Sequence, residues 1–308
     1  MKTEHTNPLP HEFLIHAKAV KTLRRLVANA SFEVLARDIV PRAAILARID
    51  SGTKIYIPFP PNGSWNETIE ACRVLNENGC YPIPHLPARR VRDTDELIDW
   101  AKTLEGSNVR GVMLIAGDVR GEAVYFKDSV DVLQTKILAE HGIERVGVAV
   151  YPDGHPFIPS EDLRDAFRRK LEIASRDGLA MHAVTQFGFD ASPVQVWLSE
   201  MASSRLRVPV SVGVAGPTGL RTLISYASKC GVAHSAKGLF ANPSALRVFG
   251  EWDPLQILSP VAECLTSGLD VQVANTHVFT FGGLKKVLQW REELLNTCDA
   301  ATESNVHS

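Results

Sequence analysis

The chain is poor in the features that announce many specialised functions. Its 308 residues include five cysteines, Cys72, Cys80, Cys230, Cys264 and Cys298, with no C-x-x-C pair and no metal-ligand spacing. That excludes a zinc ribbon and a disulfide framework, and reads as idle thiols in a reducing compartment. Neither sign of charge dominates: 33 Lys and Arg stand against 35 Asp and Glu, a net −2. A basic footprint for nucleic acid or an acidic membrane is therefore missing. No apolar run reaches the ~20 residues that span a bilayer, and residues 1–10 lack the apolar stretch of a signal peptide. A cytoplasmic protein without nucleic-acid or membrane partners is the expectation. The serine-hydrolase elbow G-x-S-x-G, the zinc motif H-E-x-x-H and the phosphate loop G-x-x-x-x-G-K-[ST] are also absent. The histidines are too dispersed to imply a metal, and none is expected.

What the sequence does contain is alternation. Short β-rich segments at residues 31–35, 54–57, 80–85, 111–115, 145–150, 180–186, 208–213 and 271–278 are separated by longer amphipathic ones. Residues 111–115, Gly-Val-Met-Leu-Ile, are nearly all apolar, as a strand covered on both faces should be. Ser64 and Ser160 carry helix-start signals, the segment from Thr94 has one-sided helical spacing, and Gly79, Gly142 and Gly178 stand at expected C-terminal caps. Eight strands with intervening helices predict an α/β fold, a (β/α)8 TIM barrel. Residues 1–29 form an N-terminal helical extension, residues 30–295 the barrel, and residues 296–308 a disordered tail. Extra helical material at residues 234–268 precedes the eighth strand, and a last helix covers residues 284–295. An open doubly wound sheet is the competing architecture, weakened because no G-x-G-x-x-G follows the first strand.

In a parallel barrel the chemistry collects at the carboxyl ends of the strands. Those ends gather Glu33, Pro58, His85, Asp118, Tyr151, His155, Gln186, Gly213, His277 and Thr280. A glutamate between Phe32 and Val34, turned into the mouth and desolvated, is a candidate general acid; turned outward it is a solvated edge residue. Asp118 follows Gly117, where a close turn would let a carboxylate bind a guanidine-like edge such as a pterin's, or simply cap a turn. Gln186 offers a donor and an acceptor to a heterocycle, or packs as a loop amide. His85 ends a proline-stiffened run, Tyr151 and His155 flank a tight turn, and Lys170 belongs to a basic helix face; each also has a purely structural reading.

Several of these residues stand in motifs. Ser31-Phe-Glu33, Pro84-His-Leu86, Gly117-Asp118, Tyr151-Pro-Asp-Gly-His-Pro156, Arg169-Lys170, Thr185-Gln-Phe-Gly-Phe-Asp190 and, more loosely, His277-Val-Phe-Thr280 are involved. Together they resemble the motifs of the methylenetetrahydrofolate reductase family over residues 31–288. These are flavin-dependent barrels that reduce 5,10-methylenetetrahydrofolate to 5-methyltetrahydrofolate. The resemblance implies that Glu33 is the general acid that opens the imidazolidine ring. It implies that Asp118 and Gln186 hold the pterin edge, that Asp118 stabilises the cationic iminium, and that Thr280 contacts substrate. It also implies that His85, Tyr151, His155, Lys170 and Gly117 line FAD, which exchanges hydride with NADH or NADPH.

The chain departs from the family where an arginine before Gly117 is replaced by Ala116. Pro58 stands for a threonine, Val212-Gly-Val-Ala-Gly216 for P-G-I-x-P, and Leu220 for an aromatic. Losing that arginine removes a charge-assisted contact worth about 1.5–3 kcal/mol. The expectation is thus a flavoprotein oxidoreductase of one-carbon metabolism acting on tetrahydrofolate derivatives, in either direction. The alternatives are a flavin-free NAD(P)H-dependent reductase, a pterin-binding methyltransferase barrel, and a non-catalytic folate binder. A homo-oligomer is compatible with the sequence.

Overall fold

The β-rich segments pair in parallel and close on themselves. A computed structural model describes residues 17–119, 124–204, 206–230, 232 and 251–304. Helix α1 (Ala17–Ala28) precedes β1 (Ser31–Glu33), and two short helices, α2 (Ala36–Ile39) and α3 (Ala43–Leu46), lead to β2 (Lys54–Ile57). Then come α4 (Trp65–Glu77), β3 (Tyr81–Pro87), α5 (Thr94–Gly106), β4 (Gly111–Ile115), α6 (Ser129–Gln134), α7 (Ile137–Glu140) and β5 (Arg145–Val150). The chain continues through α8 (Ser160–Arg176), β6 (Ala180–Thr185), α9 (Ser192–Ser204) and β7 (Val210–Ala215). A two-stranded antiparallel pair, β8 (Thr218–Gly219) and β9 (Glu251–Trp252), brackets α10 (Leu220–Lys229). Last are α11 (Leu255–Thr266), β10 (Val273–Phe279) and α12 (Leu284–Ser304).

The spatial order β1-β10-β7-β6-β5-β4-β3-β2 is a closed barrel, the expected (β/α)8 architecture. Helical material stands in the insertion anticipated at residues 234–268 as α11; residues 234–250 of that insertion lie outside the described residues. One parity along the strands turns Phe32, Ile55, Val112, Val146 and Val212 outward into the main core under the helices. The other turns Tyr56, Ile83, Met113 and Val184 into a separate cluster inside the barrel. Gly79, Gly142 and Gly178 end their helices at φ of +74°, +77° and +72°, the left-handed geometry that a Cβ disfavours. Helices begin at Ser64 and Ser160, but neither hydroxyl makes a capping bond. The side-chain caps fall to Asp93, on the Glu96 N–H, and Asp128, on the Val130 N–H.

Residues 296–308 were expected to be a disordered tail, and this is corrected as far as Ser304. Helix α12 continues past residue 295 because Cys298 is fully buried and Asp299 pairs with Arg24 of α1. The N-terminal helix and the C-terminal helix thus clasp each other over the seam of the barrel, and Arg25 donates to the Val273 carbonyl of β10 (3.0 Å).

One position tests the closure. A Cβ on Gly213 would lie 1.9 Å from the Thr185 carbonyl oxygen, a backbone atom of the neighbouring strand, while Gly219 has open space. Gly213→Ala is expected to lose about 3 kcal/mol or more in urea unfolding, against less than about 0.5 kcal/mol for Gly219→Ala.

Candidate active site

The inward parity carries a run of polar groups from several strands. Ser31 and Glu33 on β1, Tyr56 on β2, His85 on β3, His182 on β6, Ser211 on β7, and Asn275 and His277 on β10 all share it. Buried polar atoms must find partners within the barrel. Ser211 Oγ donates to Asn275 Oδ1 (2.6 Å), and Asn275 Nδ2 donates to the Thr276 carbonyl (3.1 Å) and to Ser31 Oγ (3.2 Å). An amide nitrogen facing a carbonyl fixes the amide orientation. Ser31, having accepted from Asn275, has its own proton for His277 Nδ1 at 3.0 Å. This pattern assigns the His277 proton to Nε2, which lies 3.7 Å from Glu33 Oε2.

Glu33 is flanked on its other side by His85, whose Nε2 is 3.5 Å from the same carboxylate oxygen and makes no hydrogen bond. The three side chains are 16%, 12% and 1% exposed for Glu33, His85 and His277, so the carboxyl is withdrawn from water as the general-acid reading requires. Burial pushes the His85 imidazole below its ordinary range, although the Glu33 charge opposes this. The Thr280 hydroxyl donates to the Glu33 carbonyl, fixing the strand end from which the carboxyl projects. Beneath them Tyr56, fully buried, meets His277 edge to face at 4.5 Å and His85 at 6.4 Å. Its hydroxyl is 2.6 Å from His182 Nε2. Burial, followed by the charges of Lys54, His277 and Arg145, pushes His182 down to about 3, so a neutral imidazole accepts the Tyr56 proton. Desolvation and the Glu33 charge push the phenol up, which keeps that proton in place.

A second feature opens beside this cluster. A crevice of about 860 Å³ runs between the ends of β4 and β5 and helices α8 and α9, lined by Arg89, Ala116, Tyr151, Lys170 and Trp197 among others. It exists because α8, seventeen residues long, buries only Ile173 and Ala174 and so stands off the barrel. Ile115 and Ala149 line the crevice and also pack against the Tyr56 cluster, so the crevice and the Glu33 site share a wall. Lys170 faces into the crevice half-buried, its ammonium destabilised by desolvation and only partly relieved by Asp128. It makes no ion pair or hydrogen bond among the described residues. Burial likewise pushes the Tyr151 phenol up.

The structure therefore divides the residues singled out in the sequence. Glu33 and His85 come together, with Thr280 as their backbone clasp. Tyr151 and Lys170 line the crevice; His155 packs edge to face on Tyr151 at 4.9 Å. Gly117 takes φ +89° at the end of β4, and Asp118, half exposed, pairs with Arg90 Nη2 at 3.1 Å. Gln186 accepts the Phe187 N–H through Oε1 (3.1 Å) and keeps its amide donors. His85, anticipated beside a flavin, stands against Glu33 and does not line the crevice. Tyr56, His182, Ser31, Asn275, Arg89 and Arg90 went unrecognised as site residues in the sequence. The signal for the first four was period two: each lies on the same strand parity as a recognised polar residue.

No protein-family model matches the chain. Among solved structures it is similar to a dihydropteroate synthase from Yersinia pestis, with 11% identity, 90% of this chain and 94% of that chain covered, and a TM-score of 0.49. It is also similar to an uncharacterised protein from Clostridium thermocellum that binds two copies of 5-methyl-5,6,7,8-tetrahydrofolic acid. There the identity is 11%, the coverage 91% of this chain and 99% of that chain, and the TM-score 0.49. The barrel assignment rests on the chain's own strand pairing.

The buried imidazoles make stability depend on pH in a defined direction. His182 takes up a proton near pH 6.5 when unfolded but only near 3 when folded. Between those values the unfolded state binds more protons, so stability is present above the upper limit and is lost as pH falls through the window. The slope is up to about 1.4 kcal/mol per pH unit, and His85 adds in the same sense. Urea unfolding across this window is expected to show a shallower pH dependence for His182→Gln than for the native chain; parallel slopes would remove His182 as a source.

Proposed function

We propose that this chain is a divergent oxidoreductase of the methylenetetrahydrofolate reductase type, interconverting 5,10-methylenetetrahydrofolate and 5-methyltetrahydrofolate with NAD(P)H and FAD. The observation that carries this reading is a desolvated carboxyl, Glu33, held between His85 and His277 and one side-chain layer from a large crevice. An amine nitrogen leaves a carbon centre badly unless protonated, so opening of a bridged folate needs an acid withdrawn from water. Glu33 delivers that proton, and the His277 Nε2–H steadies the carboxylate that remains. Gln186 and Asp118 orient the pterin edge through amide and carboxylate hydrogen bonds, with Arg90 aligning Asp118.

The crevice fits the cofactor that the motifs imply. Its volume lies in the upper part of the ~300–1,000 Å³ typical of small-molecule sites, and its unpartnered ammonium suits an anionic group. Lys170 would hold phosphate oxygens, Tyr151 and His155 would pack on the ring system, and Arg89 would supply the guanidinium absent at 116. Arg89 donates its backbone N–H to the Ala116 carbonyl (2.9 Å), so it stands at the same strand ends as the missing arginine would. When bound, FAD supplies the hydride relay between nicotinamide and folate.

A second reading, direct hydride transfer from NAD(P)H to folate, is favoured by Ala116, which leaves that edge of the crevice without a charge of its own. Methyl transfer from a reduced folate without any nicotinamide is the third outcome of the same test. The purified protein is expected to be yellow, or to become so with added FAD, and to bleach with NADH. Glu33→Gln is expected to lower folate-dependent turnover by about 10²–10⁴-fold with flavin content unchanged. Lys170→Met should weaken flavin binding about tenfold or more. A colourless protein that reduces methylene-folate regardless of FAD would select the second reading.

A further inference from the structure

The opposite end of the barrel carries charges outside the proposed folate site. Lys54, Tyr81, Gly111 and Arg145 are the first residues of β2, β3, β4 and β5. The strand register sets Lys54 beside Tyr81 and Gly111 beside Arg145. Gly111 leaves a notch in this ring. A Cβ there would lie 3.3 Å from both Cε1 and the hydroxyl of Tyr81, and 3.7 Å from the Arg145 Cβ. The Tyr81 phenol therefore crosses the notch toward Arg145, from a strand position beside Lys54. Lys54 is half-buried, and neither its ammonium nor the Arg145 guanidinium makes an ion pair or hydrogen bond among the described residues. Elsewhere Arg291 has Asp50 and Arg90 has Asp118 as a counter-charge. The charged neighbour felt at Lys54 is instead Arg145, and both cations bear on His182 above them. Arg110 and Glu144 also face Tyr81; Arg110 is committed to the Gly142 carbonyl and to Asn108, and Glu144 pairs with neither cation.

We propose that this amino-terminal end of the barrel binds a small tetrahedral oxyanion, of the phosphate or sulfate class, between the Lys54 ammonium, the Arg145 guanidinium and the Tyr81 hydroxyl. Lys54 is half-buried and Arg145 exposed, and two like charges brought together repel unless an anion separates them. A planar guanidinium fork, a compact ammonium and a hydroxyl donor match several oxygens of one centre better than they match a halide.

The test is thermal unfolding of the full chain in chloride, sulfate and phosphate at matched ionic strength, with AMP as a phosphate ester. Saturating phosphate is expected to raise the melting temperature by about 3 °C over chloride. Lys54→Met should abolish that shift while melting no lower than the native chain in chloride, because it removes the repulsion. Arg145→Gln is the second variant should the first not fold, and it should lose the shift too. Lys170→Met should keep the shift. An AMP effect equal to that of phosphate assigns the site to phosphoryl esters, and none assigns it to free anions. No phosphate-specific shift in the native chain, or a shift that survives Lys54→Met and vanishes in Lys170→Met, would overturn the proposal.

Discussion

A closed barrel gives a buried charge nowhere to turn, and that constraint organises this molecule. An inward side chain on one strand meets only inward side chains from other strands, and water cannot complete its hydrogen bonds. Glu33 therefore depends on His85 and His277, which come from distant parts of the chain, and His277 depends on Ser31, Asn275 and Ser211 for its tautomer. Closure itself depends on Gly213, where the strand backbones approach too closely for any Cβ. Remove the closure and the carboxyl returns to water, away from both imidazoles.

Much of the architecture was legible in the sequence, because strand alternation and helix-ending glycines are local signals. The barrel, the N-terminal helix and the helical insertion before the last barrel strand could be read that way. The tail could not. Its polarity suggested fraying, but Cys298 and the Asp299–Arg24 pair tie it to the opposite end of the chain, a contact that no local pattern encodes. The site divides along the same line. Glu33, Tyr151 and Lys170 announced themselves by their motifs and strand ends. Tyr56 and His182 did not, since a tyrosine and a histidine in apolar strands acquire meaning only when closure brings them to 2.6 Å. His85 shows the intermediate case: the residue was recognised, but its neighbour was decided by the register of β3 against the rest of the barrel.

The departures from the family pattern look different once adjacency across strands is considered. Ala116 and Arg89 belong to different strand ends joined by a backbone hydrogen bond. The Arg89 guanidinium therefore stands at the same edge of the crevice as Ala116, and both line it. Arg89 already donates from Nε to the Lys127 carbonyl (2.7 Å) and from Nη1 to the Gly117 carbonyl (3.5 Å). The crevice thus has Arg89 and Lys170 among a lining that mixes apolar side chains with both signs of charge, Asp128, Asp162, Asp190 and Glu200 included.

The two ends of the barrel also act on one another. Lys54 and Arg145 at the floor disfavour protonation of His182, so His182 stays an acceptor and takes the Tyr56 proton. With its own proton directed downward, Tyr56 has none to offer Glu33, and it contributes ring edges rather than a hydrogen bond to the cluster above. The donor nearest Glu33 on this side is then the His277 Nε2–H, whose presence follows from Ser31. The floor thus bears on the interior of the barrel through the Tyr56–His182 pair.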